Sequence, residues 1–477
     1  MLLFVINHGK ILRSMSNSVE NTFSRDLVTL HIGIDDTDEF FYGCTTNFLR
    51  ELIKTIHRSS ISKYVQFIDY PYLTRLNPSI PYKTRGNGAV SLHIQVHEHA
   101  VRDLLEILRS LASDIGSGRG AEPGVVVVYG SGRDEVLRDY YSRVLSDVIY
   151  IDVAERIINK LSGEIIARGR GIVGALGSIS NFFVESDCTY EILGYSLRDK
   201  EFYIDPDRVY LMDKSTKPYT FNNIDPETNK ILITPRIGRP VVLGVRGESP
   251  QILIRAIEIL KPEGVDEYLI FKTNQGTDQH LVPRELSEAK PYRTGLFIAQ
   301  VSRDPEIRIG GDIFIEITDP SNNNIKALAA IYREFGENRL VARNLVKGDL
   351  VEIGGSVKPL SSGSSTSSIV INVEYLKILK LRTIYIERNP LCPKCGSRMI
   401  SRGKNKGFKC PRCGYIDPYA KKMLVEKPRD TAYVNMILKP PPRNTKHLTK
   451  PLQRFGLEKI CKKSIKGLEI SEFFYIA

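Results

Sequence analysis

Residues 28–34 are β-branched and apolar almost without a break, the pattern of a buried strand. Three carboxylates, Asp35, Asp36 and Asp38, follow where that strand should end. A short loop closes at Gly43, and Cys44-Thr45-Thr46 opens a run with apolar residues at Phe48, Leu49, Leu52, Ile53 and Ile56, the spacing of a helix. The same two periods recur downstream. Residues 65–68 and 89–96 predict strands, and Val101, Leu104, Leu105, Leu108 and Leu111 make one helix face. Residues 125–129 form a continuous apolar strand, with a second long helix from about Arg133. A Gly-rich turn at 168–177 leads into another helix, and a strand at 188–195 closes a first domain. Charge interrupts the pattern at 199–201, which predicts a boundary.

Beyond it, strand 240–245, a helix through Ile252, Leu253, Ala256, Ile257 and Leu260, and strand 267–272 are compatible with a small ferredoxin-like domain. Five short alternating segments with Gly-rich corners between 293 and 381 suit an OB-fold, and the Ser-rich stretch 361–368 reads as a flexible surface loop. The polar stretch 274–280 follows a strand end, where it either lines a site or forms an Asx-type turn.

The chain of 477 residues is too long for one core. The fold class expected is multidomain α/β plus β: an N-terminal extension at 1–26, an α/β nucleotide-using kinase-like domain at 27–199, a ferredoxin-like domain at 200–291, an OB-fold at 292–385, a zinc ribbon at 386–420 and a basic tail at 421–477. The extension reads either as a disordered segment or as sequence upstream of a true start at Met15. The net charge of +12 points to a polyanionic partner such as nucleic acid. Thirteen Lys and Arg against three Asp and Glu between 421 and 466 place most of that excess in the tail, as an RNA-binding arm or a solvated charged face. No apolar run reaches the ~20 residues that span a bilayer. Cys44, Cys188 and Cys461 are scattered and expected to be reduced, which suits a cytoplasmic protein.

Composition leaves the chemistry to the loops. A helix N-terminus attracts phosphate, and three carboxylates beside it would repel that phosphate unless a hard cation such as Mg²⁺ lay between. Asp35, Asp36 and Asp38 with Gly43, Cys44, Thr45 and Thr46 therefore suit a Mg-nucleotide site; an acidic turn with Thr45 as N-cap fits the same spacing. The 73–88 loop carries Arg75, Lys83 and Arg85 beside Gly86 and Gly88, which suits a phosphate or an RNA backbone, or a plain hairpin. Arg168-Gly169-Arg170-Gly171 begins a Gly-x-Gly-x-x-Gly run without a dinucleotide-binding unit around it; it reads as a second phosphate cradle or as close helix packing. Cys392, Cys395, Cys410 and Cys413 form two Cys-x-x-Cys pairs 14 residues apart, each followed by Gly, which predicts a closed structural Zn²⁺ site. Lys394, Arg398, Arg402, Lys409 and Arg412, with Phe408 and Tyr415, suit an RNA contact there.

The stretches Gly33-Ile-Asp-Asp-Thr-Asp38, Gly43-Cys-Thr-Thr46, Ile80-Pro-Tyr-Lys-Thr-Arg-Gly-Asn-Gly88 and Asn274-Gln-Gly-Thr-Asp278, with the four cysteines, resemble the archaeal tRNA-isoleucine agmatidine synthetases from about residue 28 to about 420. That resemblance implies a ligase that uses ATP to phosphorylate the 2-carbonyl oxygen of the wobble cytidine in the AUA-reading isoleucine tRNA. Agmatine's amine then displaces the phosphate. It implies Mg²⁺ and ATP at Asp35, Asp36 and Asp38, and phosphorylation of Thr45. A non-catalytic OB-fold and zinc-ribbon nucleic-acid-binding protein, or another ATP-dependent RNA-modifying enzyme, is the alternative.

Overall fold

The computed structural model describes residues 26–37, 44–83, 86–113, 115, 121–130, 134–197, 201–235, 240–360, 368–461 and 467–476. Asp38, Gly43, Arg85, residues 1–25, most of the Ser-rich stretch and the expected boundary at Asp199 lie outside them.

Eleven strands form one sheet. In chain order its elements are β1 (Leu27–Asp35), α1 (Thr45–Arg58), β2 (Val65–Phe67), β3 (Tyr72–Arg75), β4 (Gly88–His97), α2 (Glu98–Ser113), β5 (Gly124–Tyr129), α3 (Asp134–Ser146), α4 (Ile151–Lys160), β6 (Glu164–Arg168), α5 (Ile172–Asn181), β7 (Thr189–Tyr195), α6 (Pro206–Thr216), β8 (Thr220–Phe221), β9 (Val241–Gly247), α7 (Pro250–Leu260) and β10 (Glu267–Thr273). The strand order is β6-β5-β1-β4-β3-β10-β7-β9-β8, with β2 beside β4. The first two expected domains therefore share a continuous sheet, through parallel pairing of Lys272 and Thr273 with Tyr72 and Leu73. β7 does not close the first half: it lies antiparallel between β10 and β9, because its apolar residues Ile192 and Leu193 complete the core of the second.

Alternation along β1 sends its side chains to two different cores. Leu30, Ile32 and Ile34 pack under α1 and α2, while His31, Gly33 and Asp35 face α5. Gly33 is required here, since a Cβ would meet the Ala175 carbonyl and come within 2.9 Å of Ile179 Cγ1. This contact lets α5, buried along nearly its whole length, lie directly on the sheet between α3 and α4.

The next strands are β11 (Pro283–Arg284), β12 (Thr294–Val301), β13 (Glu306–Ile307), β14 (Ile313–Thr318) and β15 (Lys326–Ile331); after the short helix α8 (Arg339–Ala342) come β16 (Leu350–Pro359) and β17 (Ile369–Lys380). The order β12-β16-β17-β15-β14 closes through β12–β14 pairing into a β-barrel, with β15 and β17 parallel. Beyond it, β18 (Ile384–Arg388) pairs with β22 (Met423–Lys427) as a two-stranded stalk. The stalk carries a three-stranded ribbon of β19 (Ile400–Ser401), β20 (Phe408–Lys409) and β21 (Ile416–Asp417).

The segment expected as a basic tail is built into the fold. β23 (Ile437–Leu438) joins β17, and β24 (Phe474–Ile476) joins β10. Its cations meet carboxylates of both halves: Lys439 with Asp278, Arg443 with Asp225 and Glu227, Lys446 with Glu374, and Arg454 with Asp187 and Glu248. Composition shows the excess of cations, whereas their partners lie 72 to 267 residues away and no local pattern reveals them. Cys188 and Cys461, expected to be reduced, form a disulfide across 273 residues, because the C-terminal segment returns alongside the entrance to β7.

Candidate functional site

The carboxyl end of β1, the start of β5 and the N-termini of α1 and α5 converge. Asp35 is buried against α5: a Cβ on Gly174 would overlap its carboxylate, and one on Gly171 would crowd its carbonyl. A carboxylate beside a helix N-terminus is stabilised by the macrodipole, so burial is tolerated there. Asp36 takes the left-handed backbone region at φ 57°, a conformation Asp adopts more readily than most residues. Its N–H donates to Asp35 Oδ1 at 2.8 Å, and its Oδ2 accepts from the Glu122 N–H at 3.0 Å. Its Oδ1 is buried with no hydrogen-bond partner among the described residues. An orphaned carboxylate oxygen beside a second carboxylate is a donor set that suits a hard divalent cation.

Thr45 is the first residue of α1, and Cys44 is its N-cap. The acidic-turn alternative with Thr45 as N-cap is thus corrected: the Thr45 hydroxyl instead accepts from the Thr37 N–H at 3.5 Å, and the Thr37 hydroxyl lies 3.4 Å away. Only 5% of Thr45 is exposed. Thr46 Oγ1 lies 3.1 Å from Cys44 Sγ.

The Gly-x-Gly-x-x-Gly run shows the close packing offered as one of its two readings. Gly169 and Gly171 let the chain cross the backbone of Glu122 to Gly124, and Gly174 admits Asp35. The run also opens the N-terminus of α5 toward the same place. Arg170 pairs with Glu122 at 2.9 Å and Arg168 with Glu155 at 2.6 Å. Glu122, which joins Asp36 to Arg170, escapes notice in the sequence because Glu-Pro-Gly reads only as a turn.

The 76–87 loop reaches from here toward the barrel, with Tyr82 beside Arg170. Gly86 and Gly88 admit the guanidinium of Arg75, whose Nη1 donates to Gly86 O at 3.2 Å. Arg75 also meets Glu191 and Gln275, and Arg246 and His447 complete the cluster. Asn274 ties the strands together: it accepts from the Arg75 N–H and donates to the Arg75 carbonyl and Tyr141 Oη. Lys83 is exposed on this loop. Sequence spacing gives no hint of Glu191, Arg246 and His447, since they come from three distant segments.

At the ribbon, the Sγ atoms of Cys392, Cys395, Cys410 and Cys413 lie within 4.8 Å of one another. Two sulfur pairs are 3.5 and 3.4 Å apart, close to the ~3.8 Å edge of a tetrahedron with Zn–S bonds of ~2.3 Å. Gly396 and Gly414, both at positive φ, turn the two knuckles alike and donate to the carbonyls of Cys392 and Cys410. A hydrogen bond from the Ser397 backbone lowers the Cys395 thiol, while at Cys413 the Tyr415 backbone hydrogen bond is outweighed by desolvation and the neighbouring sulfurs, which raise its thiol.

Family models match three spans: the TiaS TCKD domain at residues 31–168, the TiaS FLD domain at 169–280 and the TiaS C-terminal zinc ribbon domain at 389–431. The tRNA 2-agmatinylcytidine synthetase TiaS of Ignisphaera aggregans is 38% identical over 469 residues, covering 93% of this chain and 96% of the relative. This chain belongs to the TiaS family. The TiaS of Methanocaldococcus jannaschii is 34% identical and is covered over its full length, with 90% of this chain. A crystal structure of TiaS with its isoleucine tRNA and ATP superposes at a TM-score of 0.74, with 31% identity, covering 90% of this chain and 97% of that one. Another, with tRNA, an ATP analogue and agmatine, superposes at 0.72 with 29% identity over 90% and 97%. Membership sets aside the reading as a non-catalytic binding protein. No helix among the described residues is long and apolar enough to cross a membrane.

Proposed function

We propose that this TiaS-family protein joins agmatine to the wobble cytidine of the AUA-reading isoleucine tRNA, using ATP. The observation that carries this reading is the convergence of Asp35 and Asp36 with the N-termini of α1 and α5, in a chain of which 93% aligns with a synthetase of that name. Asp35, Asp36 and Asp38 hold Mg²⁺, which neutralises charge between the carboxylates and the triphosphate when bound. Backbone N–H groups at residues 43–46 and at Gly169 and Arg170 receive phosphate oxygens, with Arg168 and Arg170 released from Glu155 and Glu122 to join them; Gly171, whose N–H donates to the Glu122 carbonyl at 2.9 Å, shapes the turn. Thr45 accepts a phosphoryl group, which requires its contact with Thr37 to open. The cytosine 2-carbonyl oxygen, once phosphorylated, leaves as phosphate when agmatine's amine attacks the same carbon.

The domains follow the same reading. The kinase-like part ends ahead of β7 rather than at 199, and β9–α7–β10 enclosing antiparallel β7 supports a ferredoxin-like second part. The barrel's strand order and parallel β15–β17 pair support an OB-fold at 292–385. It and the zinc ribbon grip the tRNA. Mass spectrometry of tRNA nucleosides after incubation with ATP and agmatine tests the whole. Agmatidine should appear with wild type and vanish with Asp36→Ala, while tRNA binding persists. Full incorporation by Asp36→Ala would remove the assigned site.

A further inference from the structure

Three distant segments bring lysines to one place at the junction of sheet and barrel. Lys358, near the end of β16, donates to Ser79 O at 2.5 Å, and Ser79 Oγ donates to Val357 O at 3.2 Å, so the 76–87 loop is tied to the barrel. Two residues earlier on the same face of β16, Ser356 Oγ accepts from Lys446 Nζ at 2.6 Å. His447, next in the chain, lies against Gly86 at the far end of the loop. Lys83 is exposed on the loop between them.

Counter-charge is scarce. Lys446 meets Glu374 at 3.1 Å. Lys358 has the Tyr292 ring at 5.2 Å but no carboxylate among the described residues. Burial, then repulsion by Lys446 and Lys83, pushes the Lys358 ammonium below its ordinary range. Holding like charges together costs Coulomb energy that a bound anion would offset.

We propose that Lys83, Lys358 and Lys446 form a composite seat for one phosphodiester of the tRNA backbone, at the junction between the catalytic sheet and the barrel. The inference rests on the tRNA-modifying reading above. Tyr82 on the same loop touches Arg170, so the loop runs from the candidate nucleotide cradle to the barrel. A strand seated here leads from the barrel toward Asp35. Three point charges on separate segments, without a ring of backbone N–H donors, suit positioning of a polyanion rather than tight capture of a triphosphate.

The test measures isoleucine-tRNA affinity against salt concentration for wild type, Lys83→Ala, Lys358→Ala and Lys358→Arg, with ATP affinity and melting temperature alongside. Because the three lysines share one phosphodiester, each alanine variant should remove part of the ~0.7 to 0.9 that one phosphate contributes to the slope of log K on log salt, and weaken binding by up to about three- to fourfold near 0.2 M salt. ATP affinity should stay constant, and Lys358→Arg should restore the slope. An unchanged slope in Lys358→Ala, with wild type binding tRNA normally, overturns the seat and leaves the reading of function intact. Loss of ATP affinity with an unchanged slope assigns the lysines to the nucleotide and also overturns it. Failure of wild type to bind the tRNA refutes both.

Discussion

Arg454 is the sharpest place to test how the C-terminal segment holds the molecule together. Its side chain is fully buried and all five N–H donors are used. Nη1 and Nη2 reach the two oxygens of Asp187 at 3.1 and 3.0 Å, Nη2 and Nε reach Glu248, and Nη1 also reaches Gly276 O. Arg454→Ala leaves two poorly solvated carboxylates facing each other and a carbonyl without its donor. Removing one partner of such a buried pair costs about 3–5 kcal/mol, or roughly 10²- to 10⁴-fold in the ratio of closed to open forms. Arg454→Lys should recover only part of this, because an ammonium cannot span both carboxylates. Native-state hydrogen exchange over residues 437–461 reads the opening directly, and urea unfolding reads its effect on the sheet. A change below about 1 kcal/mol in both would show that the pairs merely tolerate burial, as buried ion pairs sometimes do.

Freshly purified protein should contain one Zn²⁺ per chain, and Cys392→Ser should lose it and weaken tRNA binding while ATP binding persists; metal-free wild type by elemental analysis would refute this. Breaking the Cys188–Cys461 bridge releases a loop of 273 residues, worth up to about 5 kcal/mol in the chain-entropy model, so a reductant should lower the melting temperature of wild type but not of Cys188→Ser. Gly174→Ala should displace Asp35 and abolish agmatine incorporation while leaving tRNA affinity within about twofold, since the change removes no cation from the RNA-binding surface; retained incorporation would mean that Asp35 is not needed where it stands. The Glu374 carboxyl is buried, which opposes ionisation, yet Lys446 and His280 outweigh this and hold it well below the carboxylate range. Its contribution is complete above the unfolded value near ~4.3 and fades as pH falls below that, so Glu374→Gln should flatten the acid limb of a stability–pH curve.

Local chemistry was legible in the sequence wherever a single segment carries it. The apolar run of β1, the helical spacing after Cys44, the strand–helix–strand around α7 and the paired cysteine knuckles all lie where periodicity and spacing put them. What stayed hidden depends on pairing across the chain. Gly33 reads only as part of a strand and Gly174 as part of a cradle or a packing run, and the docking of α5 on β1 shows why neither accepts a side chain. Lysines and arginines after residue 421 look like a solvated arm until Asp187, Asp225, Glu248, Asp278 and Glu374 are found opposite them. Arg75 reads as a phosphate or RNA contact or as part of a plain hairpin, and the sequence does not reveal Glu191, 3.9 Å from its guanidinium.

The place of β24 has a consequence for how the protein is made. β10 pairs with β3 only at Lys272 and Thr273; along Glu267 to Leu269 that same edge is covered by the last strand, with Phe473 fully buried beside it. During synthesis domains fold from the N-terminus forward, so this edge stays unpaired until residues 474–476 have emerged. A nascent or truncated chain therefore exposes a sticky strand that the finished one conceals. Residues 474–476 thus seal an edge of the sheet, and deleting them should raise the protein's tendency to aggregate.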